Sequence, residues 1–453
     1  MFTKRDLLKM MLPTIIQNIL SITLSTADSI MVASAGEAAV SGVSLVGTLD
    51  TLLIITFSSL VAGGSVVVSH ALGNGDHAFA RKCAAQLLYA AAGIALAITV
   101  LVSLFRALLL TLLYGSAEAD VLHSANNYLR VIVLSFPLLA LYNCGISLFR
   151  VMGNTVIAMI LSFIMNIINI AGNAIFIFGC GMGTAGAALA TLIARIVGAA
   201  VIIFLLHNRK NAVYFEKLYS WRPDFSVIRK ILQIGVPHGL ESSMFQFGRL
   251  VMQVLISSMG TASIAANSVA GTLAGYLYMP SSSIENCAVT VVGRCVGAGE
   301  KKQAKKYANM LLLWTYIAMW AVSLILFICM SPIISLYDLS EEGARIALQL
   351  TVFHAICTSL IRPPAFVFSS IFKAAGDVWY SLIVSTVSMW VVRVGCAYLL
   401  ALESFSLGFI TIPGAGLGIF GVWIAMMGDW VVRAVLFTVR YLRGKWLERK
   451  ALV

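Results

Sequence analysis

The chain has 453 residues, 60% of them hydrophobic and only 11% charged, which is too little charge to cover the surface of a soluble protein of this size. The net charge of +12 does not point to nucleic acid, because the basic residues collect in short loops between apolar runs, as they do in membrane proteins. Eight cysteines stand singly with no CxxC pair, which argues against a disulfide framework or a thiolate metal site.

Apolar runs of about 20 residues, each long enough to cross roughly 30 Å of hydrocarbon, recur along the whole chain. Twelve spans are predicted, over 8–33, 44–69, 84–112, 122–149, 155–179, 183–206, 229–258, 264–295, 306–336, 345–372, 377–402 and 415–441. The first follows Met1 closely, with no small-residue cleavage site, so it is read as a span and not as a removable signal peptide. Lys4, Arg5 and Lys9, then Arg81 and Lys82, Arg209 to Lys230 (with Lys217), Lys301 to Lys306, and Arg440 to Lys450 mark one side of the membrane. Loops 34–43, 113–121, 180–182, 259–263, 337–344 and 403–414 hold no Lys or Arg and carry acids such as Glu37, Asp120, Asp338 and Glu403 instead. The alternation predicts an inner (plasma) membrane protein with both termini cytoplasmic.

Polar residues inside these spans are the candidate functional groups, since an ionisable side chain at membrane depth must face protein or water. In the first span Gln17, Ser21, Ser25 and Asp28 fall along one helical face. Asp28 is read as a carboxyl that can switch protonation or hold a cation, against a structural hydrogen bond near the interface. The fifth span carries Asn166, Asn169 and Asn173 on one face, which is either a site or amide glue between helices. Glu241 follows Pro237 in the seventh span as Gln17 follows Pro13 in the first, and Arg393 is its expected partner. Glu285 and Asp429 are further acids within spans, and Asp377 beside Gly376 is expected to be a helix N-cap. Arg195, Arg362 and Arg393 are expected to pair with carboxylates or helix C-termini, or to recognise an anionic substrate. No P-loop lysine, HExxH motif or nucleophile–base set is present, so an enzyme is not expected.

The chain repeats itself. Gly73-Asn-Gly75-Asp76 returns as Gly297-Ala-Gly299-Glu300, and Pro13 as Pro237, both at an offset of 224. Phe149-Arg150-x-x-Gly153-Asn154 returns as Phe372-Lys373-x-x-Gly376-Asp377 at 223, and Gly183-x-x-Gly186 as Gly418-x-x-Gly421 at 235, after an insertion before the last span. The predicted fold is therefore an all-α membrane protein of two six-helix lobes, 1–206 and 229–453, joined by a linker over 207–228 and related by a pseudo-two-fold axis along the membrane normal.

Leu12-Pro13 with Asp28 fifteen residues on, the duplicated Gly-x-Gly-acid loop, Arg150-x-x-Gly153-Asn154, Asn169 and Ile175-Phe-Ile-Phe-Gly179 together resemble the MATE (multidrug and toxic compound extrusion) family, with mixed DinF-like and NorM-like features. The resemblance implies a V-shaped, monomeric antiporter fold that extrudes organic, often cationic, compounds against inward H⁺ or Na⁺ and needs no other cofactor. It also implies a cation site at Asp28, Asn169, Asn173, Thr191 and Tyr128, with Na⁺ at Asp28 as one form. Asn173 departs from relatives that carry a second carboxylate there. Gln17, Glu241, Glu285 and Asp377 are the implied substrate or second-lobe coupling residues. The rival within the superfamily is a flippase or exporter of a lipid-linked or anionic metabolite; the acids in both lobes disfavour it.

Overall fold

The computed structural model describes residues 1–114, 118–215, 222–337, 339–407 and 410–449; Lys217, Asp338, Lys450 and the side chain of Ser25 lie outside the described residues. The described residues form twelve long helical rods: α1 Lys4–Ala33, α2 Glu37–Gly73, α3 His77–Leu104, α4 Ala119–Val151, α5 Thr155–Gly179, α6 Gly183–Leu206, α7 Phe225–Ser257, α8 Thr261–Gly297, α9 Lys301–Ser335, α10 Glu341–Ala374, α11 Val378–Ala401 and α12 Gly418–Leu442. Ten of them are long and apolar enough to cross a membrane on length and composition alone. The other two, α7 and α8, are long enough but carry Glu241 and Arg249, and Glu285 and Arg294, within them.

Local chemistry sets the ends of these rods. Thr3 and Asp6 form a capping box at the start of α1, with the Asp6 amide donating to Thr3 Oγ1 and the Thr3 amide to Asp6 Oδ2. Gly75 and Gly299, at φ 79° and 72°, turn the chain out of α2 and α8 through the left-handed region that glycine enters without penalty. Asp76 then caps α3 by accepting from the Phe79 amide at 2.8 Å. The expected span 84–112 is broken at Phe105, so Arg106 opens a separate nine-residue helix, Arg106–Tyr114, and no single rod carries its guanidinium through the apolar run.

Several rods slip out of α geometry. In α4 a 3₁₀ turn, Val133–Ser135, precedes Pro137; in α10 a π-turn, Pro363–Val367, begins at two prolines that lack amide protons. Further π-turns end α5 at Ala174–Gly179 and interrupt α11 at Ser388–Val394. The insertion before α12 is not helical. It forms an antiparallel hairpin of β1 (Ser404–Leu407) and β2 (Ile410–Pro413), with Ser404 opposite Pro413, which an all-α reading omits.

Met1–Gly239 packs as one compact unit and the described chain from Leu240 on as the other, so the boundary lies inside α7. In the first unit α1 packs on α5, α5 on α6, and α2 on α3 and α4. The first half of α7 crosses α2 at two glycines, where a Cβ on Gly63 would fall 2.4 Å from the Ile231 carbonyl oxygen and 2.6 Å from the Gly235 nitrogen. The segment entering α7 is fastened to α3. Lys82 Nζ lies 2.5 Å from Asp224 Oδ2, and the Asp224 amide donates to Gln86 Oε1. Hydrogen bonding from Lys82 and from the Val227 amide holds the Asp224 carboxyl below the usual carboxylate range. In the second unit α8 packs on α9 and α10, and α12 on α10 and α11, around Met252, Trp423, Met426 and Trp430.

The repeat is visible in the backbone. Both α2 and α8 have 37 residues, and each starts and ends 224 positions from the other.

Candidate functional site

Because α1 lies along α5, the polar faces of the two helices meet. Asn173 Nδ2 donates to Asp28 Oδ1 at 2.5 Å and to Asn169 Oδ1 at 3.3 Å, and Asn169 Nδ2 donates to Thr191 Oγ1 on α6 at 3.0 Å. Asn173 and Asn169 are buried, whereas Asp28 is half-buried at the wall of a cavity of about 770 Å³ inside the first unit. Asn169, Thr191, Tyr128 and Gln17 line the same cavity, and Asn173 backs Asp28. Oδ1 of Asn173 is buried without a partner. The geometry thus brings Asp28, Asn169, Asn173 and Thr191 into one hydrogen-bonded chain, with Tyr128 on the same wall. Asn166 serves differently: its Nδ2 donates to the Leu20 carbonyl at 2.8 Å and ties α5 to the backbone of α1.

The cavity also holds a pair that sequence reasoning missed in part. Arg195 Nη2 meets Asp50 Oδ2 at 3.1 Å, and its Nη1 donates to Ser135 Oγ at 2.6 Å. Arg195 was expected to find a carboxylate, but Asp50, an acid inside the second span, was not singled out. Gln17 accepts from Arg150 Nη2 at 2.7 Å.

In the second unit the expected acids lie in separate ion pairs and are not brought together. Glu241 meets Lys373 Nζ at 2.9 Å, which corrects the expectation that Arg393 is its partner. The reason lies in the repeat: Lys373 stands where Arg150 stands in the first half, and Glu241 where Gln17 stands, so the pair reproduces Gln17–Arg150 with a charge added. Arg393, on α11, lies instead over the ring of Phe245, one turn further along α7 from Glu241, at 5.5 Å. Glu285 accepts from Ser281 Oγ at 2.7 Å and pairs with Arg362 at 3.2 Å, and Asp429 pairs with Arg433 at 2.7 Å. Asp377 occupies the N-cap position of α11 but its side chain caps no amide. It accepts from Arg440 at 2.7 Å and Arg449 at 3.1 Å, which corrects the capping expectation. Two guanidinium groups compete successfully with a helix amide for one buried carboxylate.

Twelve long rods among the described residues, ten of them apolar enough to cross a membrane, in two repeated halves with a carboxylate-bearing cavity inside the first, are the build of a polytopic membrane transporter. The MatE family model matches residues 13–175 and again 237–399, the two matches being offset by 224, and the chain belongs to that family of multidrug efflux transporters. Its relatives include the probable multidrug resistance protein NorM of Thermotoga maritima, 24% identical over 99% of this chain and 94% of that protein. The uncharacterized transporter YisQ of Bacillus subtilis is 26% identical over 96% and 94%. Among solved structures, an outward-facing multidrug resistance MATE transporter matches with a TM-score of 0.88 at 20% identity, covering 98% of this chain and 96% of that one. A Pyrococcus furiosus MOP superfamily transporter, described as having a binding pocket of reverse polarity, matches at 0.87 and 21%, covering 99% and 97%.

Proposed function

We propose that the chain is an H⁺- or Na⁺-coupled antiporter that exports amphipathic organic compounds, organic cations among them, by alternating access, with coupling at Asp28. The observation that carries this reading is the half-buried carboxylate on the cavity wall, hydrogen-bonded to Asn173 and linked through it to Asn169 and Thr191. Carboxylate, amide and hydroxyl oxygens are the ligands a hard monovalent cation takes, and a lone carboxylate at membrane depth is equally a proton carrier. Turning the Asn173 amide would exchange its NH₂ for the partnerless Oδ1 and convert a donor-filled position into an oxygen-lined one. The loop charges support a reading with both termini on the cytoplasmic side of the inner membrane, and the working unit is taken as a monomer that needs only the coupling ion.

The test is transport by purified protein in liposomes. Wild type should accumulate ethidium under an imposed proton or Na⁺ gradient. Asp28→Asn should abolish gradient-driven accumulation while leaving ethidium binding and the thermal midpoint close to wild type. Export by Asp28→Asn at the wild-type rate would remove Asp28 from the coupling role. A second reading, an exporter or flippase of an anionic or lipid-linked compound, draws on Arg393, whose Nε and Nη1 are buried without an acceptor, and predicts no ethidium accumulation under either gradient.

A further inference from the structure

Three arginines of the second unit are threaded through two aromatic rings. Arg393 and Arg433 lie 5.5 and 5.6 Å from the Phe245 ring, and Arg433 and Arg362 lie 5.9 and 4.1 Å from the Phe366 ring. Two of the three have a carboxylate: Asp429 for Arg433 and Glu285 for Arg362. Arg393 forms no ion pair among the described residues and feels Asp429, already paired with Arg433, only through space; its Nε and Nη1 are buried with no acceptor. Two more buried groups along α11, the Thr386 hydroxyl and the Trp390 indole N–H, also lack a partner, as does the indole N–H of Trp430 on α12. Apart from the hydroxyl, which can do either, all of these are donors. An unpaired buried donor is costly, and an unpaired guanidinium more so, unless an acceptor arrives from outside the fold. Arg393 and Phe245 are both only half-buried, so the pair is not sealed within the unit.

We propose that Arg393 forms an anion site: the sulfonate or carboxylate of an amphipathic organic acid accepts from its Nε and Nη1 while the aromatic body of the acid lies along Phe245. The guanidinium fork matches two oxygens of such a group, and one net positive charge is left in the cluster once Asp429 and Glu285 are counted. This widens the exported class from cations to acids and zwitterions. It rests on the export reading for transport and stands apart from it for binding.

The experiment is calorimetric titration of the purified full chain with naphthalene-2-sulfonate and, in parallel, with naphthylmethylammonium. Wild type should bind the sulfonate. Arg393→Met should weaken that binding at least tenfold, leave the ammonium unaffected, and keep or raise the thermal midpoint, because it removes an unpaired buried charge. A merely structural arginine would lower the midpoint on removal. Should Arg393→Met not be recovered as a monodisperse protein, Arg393→Lys, which keeps the charge and loses the fork, should still weaken the sulfonate severalfold. Equal sulfonate affinity in wild type and variant, or none in wild type, would overturn the proposal. So would loss of sulfonate binding in nanodiscs containing phosphatidylglycerol but not in phosphatidylcholine alone, which would assign the site to a lipid headgroup. Sulfonate binding without ethidium transport would sink the export reading and leave this site standing.

Discussion

Glu241 and Lys373 are each largely buried, and their partners in the repeat, Gln17 and Arg150, show that the same geometry holds with a neutral acceptor at 2.7 Å. Glu241→Gln should therefore leave the thermal midpoint near wild type, since an amide oxygen can accept from Lys373 as Gln17 accepts from Arg150. Lys373→Met should instead take the ion pair away from a largely buried carboxylate and cost about 1.5–3 kcal/mol. Thermal melts of the two variants in one detergent check this, and equal losses would show that charge rather than hydrogen bonding holds the pair. Part of this was legible in the sequence. The faces of Gln17 with Asp28, and of Asn166, Asn169 and Asn173, follow from helical spacing alone. The Glu241 partner could have been read from the repeat, because Gln17 and Arg150 recur as Glu241 and Lys373. Asp50 with Arg195, and Asp377 with Arg440 and Arg449, join residues 63 or more positions apart. No local period carries such a pairing.

Between elements, the sharpest constraint is the crossing of α2 with the first half of α7. An added methyl at Gly63 meets backbone, not a side chain that can swing away. Gly63→Ala should thus force the helices apart and destabilise the protein by about 1–3 kcal/mol, the usual effect of overpacking. Gly93→Ala, where a Cβ meets nothing within 4 Å on α3, should be neutral or slightly stabilising. Comparing thermal midpoints of the two variants checks the contrast, and similar values would show that α2 and α7 yield at no cost. Helix number and most boundaries were legible because hydrophobic runs end at glycine turns and caps. The break at Phe105 and the π-turns were not, since both depend on how neighbouring helices pack. The hairpin escaped because four-residue strands leave too short an alternation to stand out.

For the molecule as a whole, the loop charges make a topological prediction. In a background without native cysteines, needed because Cys180 is exposed, cysteines placed at Gly181 and Ser340 should react with an impermeant reagent in intact cells. One at Asn211 should react only after lysis, and its labelling in intact cells would reverse the orientation. The duplicated backbone has a further consequence. The offsets of 224, 223 and 235 give these site residues mates: Asp28 corresponds to Met252, Asn169 to Val392, Asn173 to Cys396 and Thr191 to Met426. Met252 and Met426 are buried in the apolar core of the second unit, with Cys396 packed against it. In the other direction, Arg393 corresponds to Ile170, Arg433 to Gly198 and Glu285 to Val61. The two halves thus share a scaffold and, at Gln17–Arg150 and Glu241–Lys373, one polar contact, while their other polar sites differ. Where Asp28, Asn169, Asn173 and Thr191 stand in one half, the other therefore holds a mute copy of the same site, spelled in methionine, valine and cysteine.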